Sequence, residues 1–184
     1  MKRRLFLTGS IGCGKSTAIS QALGETITQY GGFLTRRYRE PNLHFTLESP
    51  DGQCSETFLD FPDGKPRLNM DVFSHLGVHL LNGEILVLDE IGGIELLCPE
   101  FAAVLEQVLQ SDIPVIGVLK GPGPAGALID RLGLSEEYLQ AAESLRTWLE
   151  NDENTLLYEC GQFDKQALLL AKQWVKEYAH ESFF

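Results

Sequence analysis

Hydrophobic and polar positions follow two different rhythms along this chain, and the rhythms predict strands that alternate with helices. Short and nearly continuous apolar runs are typical of buried strands, because a strand covered on both faces has no polar side. Such runs occupy residues 4–8, 85–89, 115–119 and 155–160. Apolar residues spaced three and four positions apart predict amphipathic helices. This spacing occurs in residues 16–23, 71–81, 99–109, 125–131, 136–150 and 163–178.

The alternation predicts an α/β fold with a mainly parallel sheet, and one segment departs from it. Within residues 31–61, residues 33–35 and 54–61 are strand-like and residues 43–48 alternate between apolar and polar side chains. The sequence Ser-Pro-Asp-Gly at 49–52 has the composition of a hairpin turn. We therefore predict an inserted antiparallel β-meander. It either makes the sheet mixed or forms a flap beside it.

Length, composition and charge limit the class of protein. A chain of 184 residues provides one domain with a sizeable core, so we expect a single domain over 1–184 with the β-meander inserted at about 31–61. The content of 43% hydrophobic and 22% charged residues excludes disordered, collagen-like and coiled-coil proteins. The net charge of −11 disfavours a nucleic-acid binder, because neutralising many phosphates requires clustered Lys and Arg. A local site for one nucleotide is compatible with this charge.

Cysteine content and the lack of long apolar runs predict a cytoplasmic protein. The cysteines are Cys13, Cys54, Cys98 and Cys160, which are widely separated and form no C-x-x-C pair. This spacing excludes a zinc ribbon and favours four reduced thiols over a disulfide framework. No apolar run is long enough for a signal peptide or a membrane span. We expect no zinc, no membrane partner and no nucleic-acid partner; the oligomeric state stays open, with a monomer favoured.

The loop after the first predicted strand matches the phosphate-binding pattern G-x-x-x-x-G-K-[ST]. Its residues, with the next one, are Gly9, Ser10, Ile11, Gly12, Cys13, Gly14, Lys15, Ser16 and Thr17. Glycines let successive N–H groups surround a phosphate, and the helix that follows directs the positive end of its dipole at the same oxygens. The pattern assigns Lys15 to the β- and γ-phosphates, with a catalytic role, and Ser16 to Mg²⁺. A glycine-rich turn without a ligand is the alternative.

The predicted strand 85–89 ends in Asp89, and Glu90 follows it directly. An Asp at the end of a buried strand lies at the carboxyl edge of the sheet, where phosphates bind, and is expected to hold Mg²⁺ through a water. Glu90 has the chemistry to accept a proton from an attacking water, which favours hydrolysis. The alternative is a solvated charge at the strand end. An Asp-Glu pair also typifies sheets in which the equivalent of strand 115–119 lies between strands 4–8 and 85–89, and we predict that order.

Other candidates for contacts with phosphate are weaker. They are Thr35, Arg39, Lys120 and Arg131. Three arginines surround Thr35 between positions 36 and 39, and one of them has the chemistry of an arginine finger supplied by the same chain. A solvated strand face is the alternative for each. Lys120 follows a predicted strand and should therefore lie at the same carboxyl edge.

These motifs resemble those of a family of small nucleoside-triphosphatases that occurs in thermophilic microbes and in vertebrates, where its members are called cancer-related. The matching segments are 9–17, Gly-Gly-Phe-Leu-Thr at 31–35 with Arg39, Leu-Asp-Glu-Ile-Gly at 88–92, Ile-Glu-Leu at 94–96 with Phe101, and 114–119. They follow the family order over roughly the first two-thirds of the chain. The glycine and Asp-Glu segments make the resemblance specific.

The resemblance implies a P-loop NTPase fold, a three-layer sandwich, with slow Mg²⁺-dependent hydrolysis of nucleoside triphosphates such as ATP and GTP. By position it implies that Lys15 binds phosphate, that Ser16 and Asp89 serve Mg²⁺, and that Glu90 activates water. The chain departs from the family at Gly93, where a Lys is usual, and at Lys120, where a His-Arg pair begins.

A further departure is Arg37, which stands where the family has an acidic residue. These differences bear on the rate and on the preferred base. Two other functions stay open. One is a small-molecule or nucleotide kinase that uses the same loop, and the other is a slow nucleotide-dependent regulatory switch or metallochaperone-type protein.

Overall fold

The computed structural model describes residues 1–121, 132–134, 136–162 and 164–178, and these residues contain one mixed sheet of eight strands. The strands are β1 (Arg4–Gly9), β2 (Gly31–Tyr38), β3 (His44–Glu48), β4 (Ser55–Asp60), β5 (Arg67–Leu68), β6 (Leu86–Ile91), β7 (Val115–Leu119) and β8 (Thr155–Cys160). Their order across the sheet is β5-β4-β3-β2-β6-β7-β1-β8.

The central strands are parallel and almost completely buried. β7 pairs with β1 on one side and with β6 on the other, so that Ile116 lies between Leu5 and Val87. None of these three side chains is measurably exposed. The predicted position of strand 115–119 between the other two is therefore confirmed.

The β-meander continues the sheet rather than forming a separate flap. β2 pairs in parallel with β6, and β3, β4 and β5 then add antiparallel strands beyond it. The predicted hairpin turn is present, because the Ser49 N–H donates to the Cys54 carbonyl at 2.9 Å. The mixed-sheet alternative is thus the correct one.

Helices cover both faces of the sheet. They are α1 (Lys15–Leu23), α2 (Val78–Leu80), α3 (Pro99–Gln110), α4 (Glu136–Asn151) and α5 (Lys165–Tyr178), with 3₁₀ segments at Gly24–Gln29, Pro62–Gly64 and Ile94–Leu97. On one face, α1 and α5 enclose a core that includes Ile19 and Trp174. On the other, α3 and α4 enclose a second core that includes Phe101 and Leu149. The described helices and sheet form the predicted three-layer sandwich.

The helix predicted over 71–81 is only partly correct, because Phe73–Gly77 forms a π-helical turn before α2. Gly77 lies directly against α3, and a Cβ atom at this position would come within 2.8 Å of the Phe101 ring. The π-helical turn, which is wider than an α-helical one, thus ends at a glycine that is closely packed and is a weak helix former. The helix predicted over 125–131 lies outside the described residues.

An ion pair between a buried arginine and a partly buried aspartate ties the first strand to the end of α4. The Arg4 guanidinium donates to Asp152 at 2.8 Å and lies 5.8 Å from the centre of the Trp148 ring. Burial raises the pKa of Asp152, but hydrogen bonds from Thr155 and Arg4 outweigh it and leave the pKa below its usual value. The pair therefore favours the folded state when the carboxyl group is ionised.

We expect Asp152→Ala to lower the free energy of unfolding by about 3 kcal/mol at pH 7, since it leaves a buried guanidinium without its ionic partner. Urea unfolding measures this loss. The pKa is lower in the folded state, so the stabilisation is present above the unfolded pKa and is lost as the pH falls through the folded value. The difference between wild type and variant should therefore shrink in acid.

The matched control is Asp112→Ala, which removes the carboxylate of an exposed pair with Arg3. We expect little change there, because solvent screens the pair. Equal losses in the two variants would contradict the importance of the pair between Arg4 and Asp152.

Candidate functional site

The loop between β1 and α1 has the backbone shape that the phosphate-binding pattern predicts. Gly9, Gly12 and Gly14 have φ angles of 123°, 79° and 100°, a region that side chains with a Cβ atom rarely adopt. α1 begins at Lys15, so its first N–H groups, which have no partner within the helix, face this loop. The arrangement is a ready site for an anion.

The Lys15 side chain lies against the loop. Its Nζ atom donates to the carbonyl oxygens of Gly9 at 3.0 Å and Ser10 at 2.8 Å, and it lies 3.6 Å from the Cys13 sulfur. Only 9% of the residue is exposed. The loop thus holds one ammonium group beside the N-terminus of α1.

A hydrogen bond joins this loop to the acidic strand. The Ser16 hydroxyl donates to Asp89 Oδ1 at 2.8 Å. Asp89 lies inside β6, which continues to Ile91, rather than at the strand end as predicted from the sequence. Burial raises the pKa of Asp89 to about 6, and the hydrogen bond from Ser16 opposes this rise. Two hard oxygen donors are therefore adjacent and largely enclosed.

Glu90 is the extra residue of a β-bulge. The register between β6 and β7 shifts between Asp89 and Ile91, so Glu90 has no partner in β7. Bulges change the direction of a side chain and are frequent beside active sites. The Glu90 N–H donates to the Thr35 hydroxyl at 3.3 Å, which links the bulge to β2.

Buried polar groups fix the segment that follows Glu90. The Glu95 carboxylate accepts from the N–H groups of Gly92 and Gly93, each at 2.7 Å. Burial raises the pKa of Glu95, and these hydrogen bonds oppose the rise. The Tyr138 hydroxyl donates to the Gly92 carbonyl at 3.4 Å, and burial, with the charges of Glu95 and Glu90, raises its pKa to about 12.

Arg146 joins the carboxyl ends of β1 and β7, and the charge of Lys120 acts nearby. Arg146 donates to the Thr8 hydroxyl at 2.9 Å and to the Lys120 carbonyl at 3.1 Å. The positive charge of Lys120 lowers the pKa of Glu95, although burial is the dominant effect on that group. Lys120 is thus at the predicted edge, where its charge acts on a buried carboxylate.

The arginines around Thr35 separate in the structure. Arg36 is partly exposed and lies on the face of the sheet that α1 covers, because it is two residues after Leu34, which packs in the core under α1. Arg37 lies on the opposite face, 5.8 Å from the Phe45 ring centre. Arg39 is exposed beyond the end of β2, and Arg131 lies outside the described residues.

The structure therefore brings together the central predicted site residues and leaves Arg39 outside this group. The group contains Lys15, Ser16, Thr35, Asp89 and Glu90. The sequence offered Arg36 only as one of three possible arginine fingers, and it did not place Tyr138 or Arg146 in this group. The alternation of side chains along β2 was a usable signal for Arg36, whereas the two α4 residues lie far along the chain and carried none.

A sequence model of the family described as NTPase matches residues 4–140, which include the loop and the acidic strand. The chain belongs to the NTPase family. The resemblance inferred from its motifs is thereby confirmed.

Relatives of this NTPase-family chain carry related names. Nucleoside-triphosphatase THEP1 of Thermotoga petrophila is 33% identical over 129 residues, which cover 64% of this chain and 72% of that protein. The cancer-related nucleoside-triphosphatase homolog of Mus musculus is 29% identical over 159 residues, which cover 72% and 83%.

The fold has a counterpart in the crystal structure of THEP1 from the hyperthermophile Aquifex aeolicus. The TM-score is 0.63 at 15% identity, and the likeness covers 91% of this chain and 95% of that one. It supports the predicted P-loop NTPase fold class. Across the ranges given above, no helix has both the length and the apolar character needed to cross a membrane.

We expect Glu95→Ala to loosen the segment after Glu90. It leaves two buried N–H groups without an acceptor, at a cost of about 1–3 kcal/mol each when they stay buried. Hydrogen exchange should therefore accelerate about tenfold or more at Gly92 and Gly93. The control Glu106→Ala removes an exposed carboxylate from α3 and should leave both rates unchanged. Unchanged exchange in Glu95→Ala would show that Glu95 does not fix this segment.

Proposed function

We propose that this chain hydrolyses nucleoside 5′-triphosphates, ATP and GTP among them, to the diphosphate and phosphate, with Mg²⁺ as cofactor and Glu90 as the group that activates water. Membership of the NTPase family makes the chain a nucleoside-triphosphate hydrolase in general terms. The observation that carries the finer proposal is the 2.8 Å hydrogen bond between Ser16 and Asp89. It brings the phosphate loop and the acidic strand to one point, directly before Glu90.

The donor set beside the loop fits Mg²⁺. Ser16 and Asp89 offer a hydroxyl and a carboxylate oxygen, and Mg²⁺ prefers few protein oxygens together with waters and substrate phosphates. Only 3% of Asp89 is exposed, so a cation there would compensate a charge that burial otherwise disfavours. When bound, Mg²⁺ neutralises charge on the β- and γ-phosphates.

Lys15 and the loop bind the triphosphate in this proposal. The backbone N–H groups and the start of α1 surround the phosphate oxygens. The Lys15 ammonium then donates to the β- and γ-phosphates in place of the Gly9 and Ser10 carbonyls, which it contacts at 3.0 and 2.8 Å. This exchange of acceptors requires only a small movement of one flexible side chain.

Glu90 completes the reaction. A water attacks the γ-phosphorus, the bond between that phosphorus and the bridging oxygen of the β-phosphate breaks, and the water proton passes to the Glu90 carboxylate. The bulge at Glu90 is held by Thr35, and the next residues are held by Glu95 and Tyr138. These contacts preorganise the base before the substrate arrives.

The decisive experiment is a phosphate-release assay on the full chain with Mg²⁺ and each nucleoside triphosphate. We expect equal amounts of phosphate and diphosphate, and loss of turnover when Mg²⁺ is chelated. A parallel assay adds nucleosides or nucleoside monophosphates as acceptors. Phosphoryl transfer to an acceptor, without release of phosphate in its absence, would instead identify a kinase and overturn the proposal.

We expect Lys15→Ala to abolish measurable binding of ATP with Mg²⁺ in a calorimetric titration, because it removes the loop cation that faces the phosphates. The matched control is Lys172→Ala, on the exposed side of α5, which should bind as wild type does. Unchanged affinity in Lys15→Ala would refute the phosphate-binding assignment of the loop.

We expect Glu90→Gln to keep the affinity for ATP with Mg²⁺ but to lower the turnover rate by at least about 100-fold, since an amide cannot accept the proton. Calorimetry and phosphate release measure the two quantities separately. The exposed substitution Glu106→Gln serves as the control. Near-normal turnover in Glu90→Gln would exclude Glu90 as the base.

A further inference from the structure

Arg36, near the end of β2, has no role in the mechanism above, yet it faces the site. β2 and β6 pair in parallel, with Leu34 beside Asp89. Paired residues project to the same face of a sheet, and residues two apart on a strand do so as well. Leu34 belongs to the core under α1, together with Ile19. Arg36 therefore projects on the α1 face, one pleat beyond Asp89 toward the carboxyl edge.

The charge environment agrees with this placement. Burial and the Ser16 hydrogen bond dominate the pKa of Asp89, and the positive charges of Arg36 and Lys15 both act to lower it. Both cations therefore lie near enough to act on the carboxylate that is proposed to hold Mg²⁺.

The Arg36 guanidinium has no bonding partner among the residues that the structure describes. Within those residues it makes no hydrogen bond and no ion pair, although Glu48 lies near enough for the two charges to interact. The Glu48 carboxylate instead accepts from the hydroxyls of Tyr38, Thr46 and Ser55. A guanidinium with five free donors thus lies on the same face of the sheet as Asp89.

The neighbouring arginines do not share this position. Arg37 is on the other face, against Phe45, and Arg39 follows the strand and is exposed. Of the three arginines around Thr35, only Arg36 combines the correct face, partial burial and proximity to Asp89.

We propose that Arg36 is a catalytic residue that donates hydrogen bonds to the γ-phosphate oxygens, as an arginine finger supplied by the same chain. This inference rests on the proposed function. The planar guanidinium matches phosphate oxygens in pairs. Negative charge on the equatorial oxygens and the leaving oxygen is redistributed as the γ-phosphoryl group transfers, so a fixed cation stabilises the transition state more than the bound substrate.

The test compares Arg36→Ala with wild type in turnover and in binding. We expect kcat to fall about 1,000-fold, within the range known for arginine fingers. The affinity for ADP should stay within about twofold, because ADP lacks the γ-phosphate that Arg36 contacts. Wild type should form a stable complex with ADP, Mg²⁺ and aluminium fluoride, which imitates the transferring group, and Arg36→Ala should not.

Arg37→Ala and Arg39→Ala are matched controls, since each removes one positive charge from the same segment, and both should behave as wild type. Arg36→Lys keeps the charge but loses the paired donors, so it should restore only part of the rate. Thermal unfolding of every variant checks that the fold is intact; if Arg36→Ala does not fold, Arg36→Lys and Arg36→Gln provide the same comparison.

Three outcomes would overturn the proposal. The first is wild-type kcat in Arg36→Ala together with a stable aluminium fluoride complex. The second is a loss of rate that excess Mg²⁺ restores, because Arg36 would then act only on Asp89. The third is a parallel loss of ADP affinity in a folded variant. Wild type that releases no phosphate would refute the proposed function, whereas the aluminium fluoride comparison would still report on Arg36.

Discussion

The order of the central strands is the constraint on which the site depends. Because β7 lies between β1 and β6, the loop after β1 and the acidic end of β6 are two strand spacings apart, which is about 10 Å. The loop and the first turn of α1 cross the end of β7, and the Ser16 hydroxyl reaches Asp89 at 2.8 Å. β7 thus keeps the width of one strand between the loop and the end of β6 that carries Glu90. Direct pairing of β1 with β6 would remove this separation.

Charges at this edge of the sheet are arranged in compensating pairs. The carboxylates of Asp89 and Glu95 are 3% and 5% exposed, and burial raises the pKa of each. Lys15 and Arg36 act on the first of these groups, and Lys120 acts on the second. A chain with a net charge of −11 thus concentrates several of its few cations at one place. This local concentration suits a single triphosphate, in contrast to the extended basic surface that a nucleic acid requires.

The sequence was sufficient to predict the features that depend on residues close together along the chain. The glycines and Lys15 act through the local backbone, so their spacing alone predicts the loop. Continuous apolar runs likewise predict β1, β6 and β7, because these strands are covered on both faces. The sequence was insufficient where a contact crosses elements. The bulge at Glu90 results from pairing with β7, and no periodicity along β6 encodes it.

The three arginines around Thr35 show the same difference between what the local sequence predicts and what pairing between elements decides. A cluster of positive charge is visible in the sequence, but its members differ in the face on which they project, and Arg39 lies beyond the strand. Resemblance to the family favours Arg39, whereas the parallel register with β6 selects Arg36. That register is a tertiary property, since it depends on where β2 enters the sheet. A shift of one residue would bring Arg37 to this face and send Arg36 to the other.

Gly93 illustrates how the absence of a side chain determines the packing of the segment after Glu90. A Cβ atom at this position would lie 2.6 Å from Glu95 Oε2, so any larger residue requires the carboxylate to move. With glycine, the chain turns closely enough for the Gly93 N–H to donate to Glu95 at 2.7 Å. Burial has the largest effect on the pKa of this carboxylate and raises it, and the positive charge of Lys120 acts to lower it. The charge of Lys120 thus acts on the segment after Glu90, whereas Asp89 is influenced by two other cations, Lys15 from the phosphate loop and Arg36 from β2.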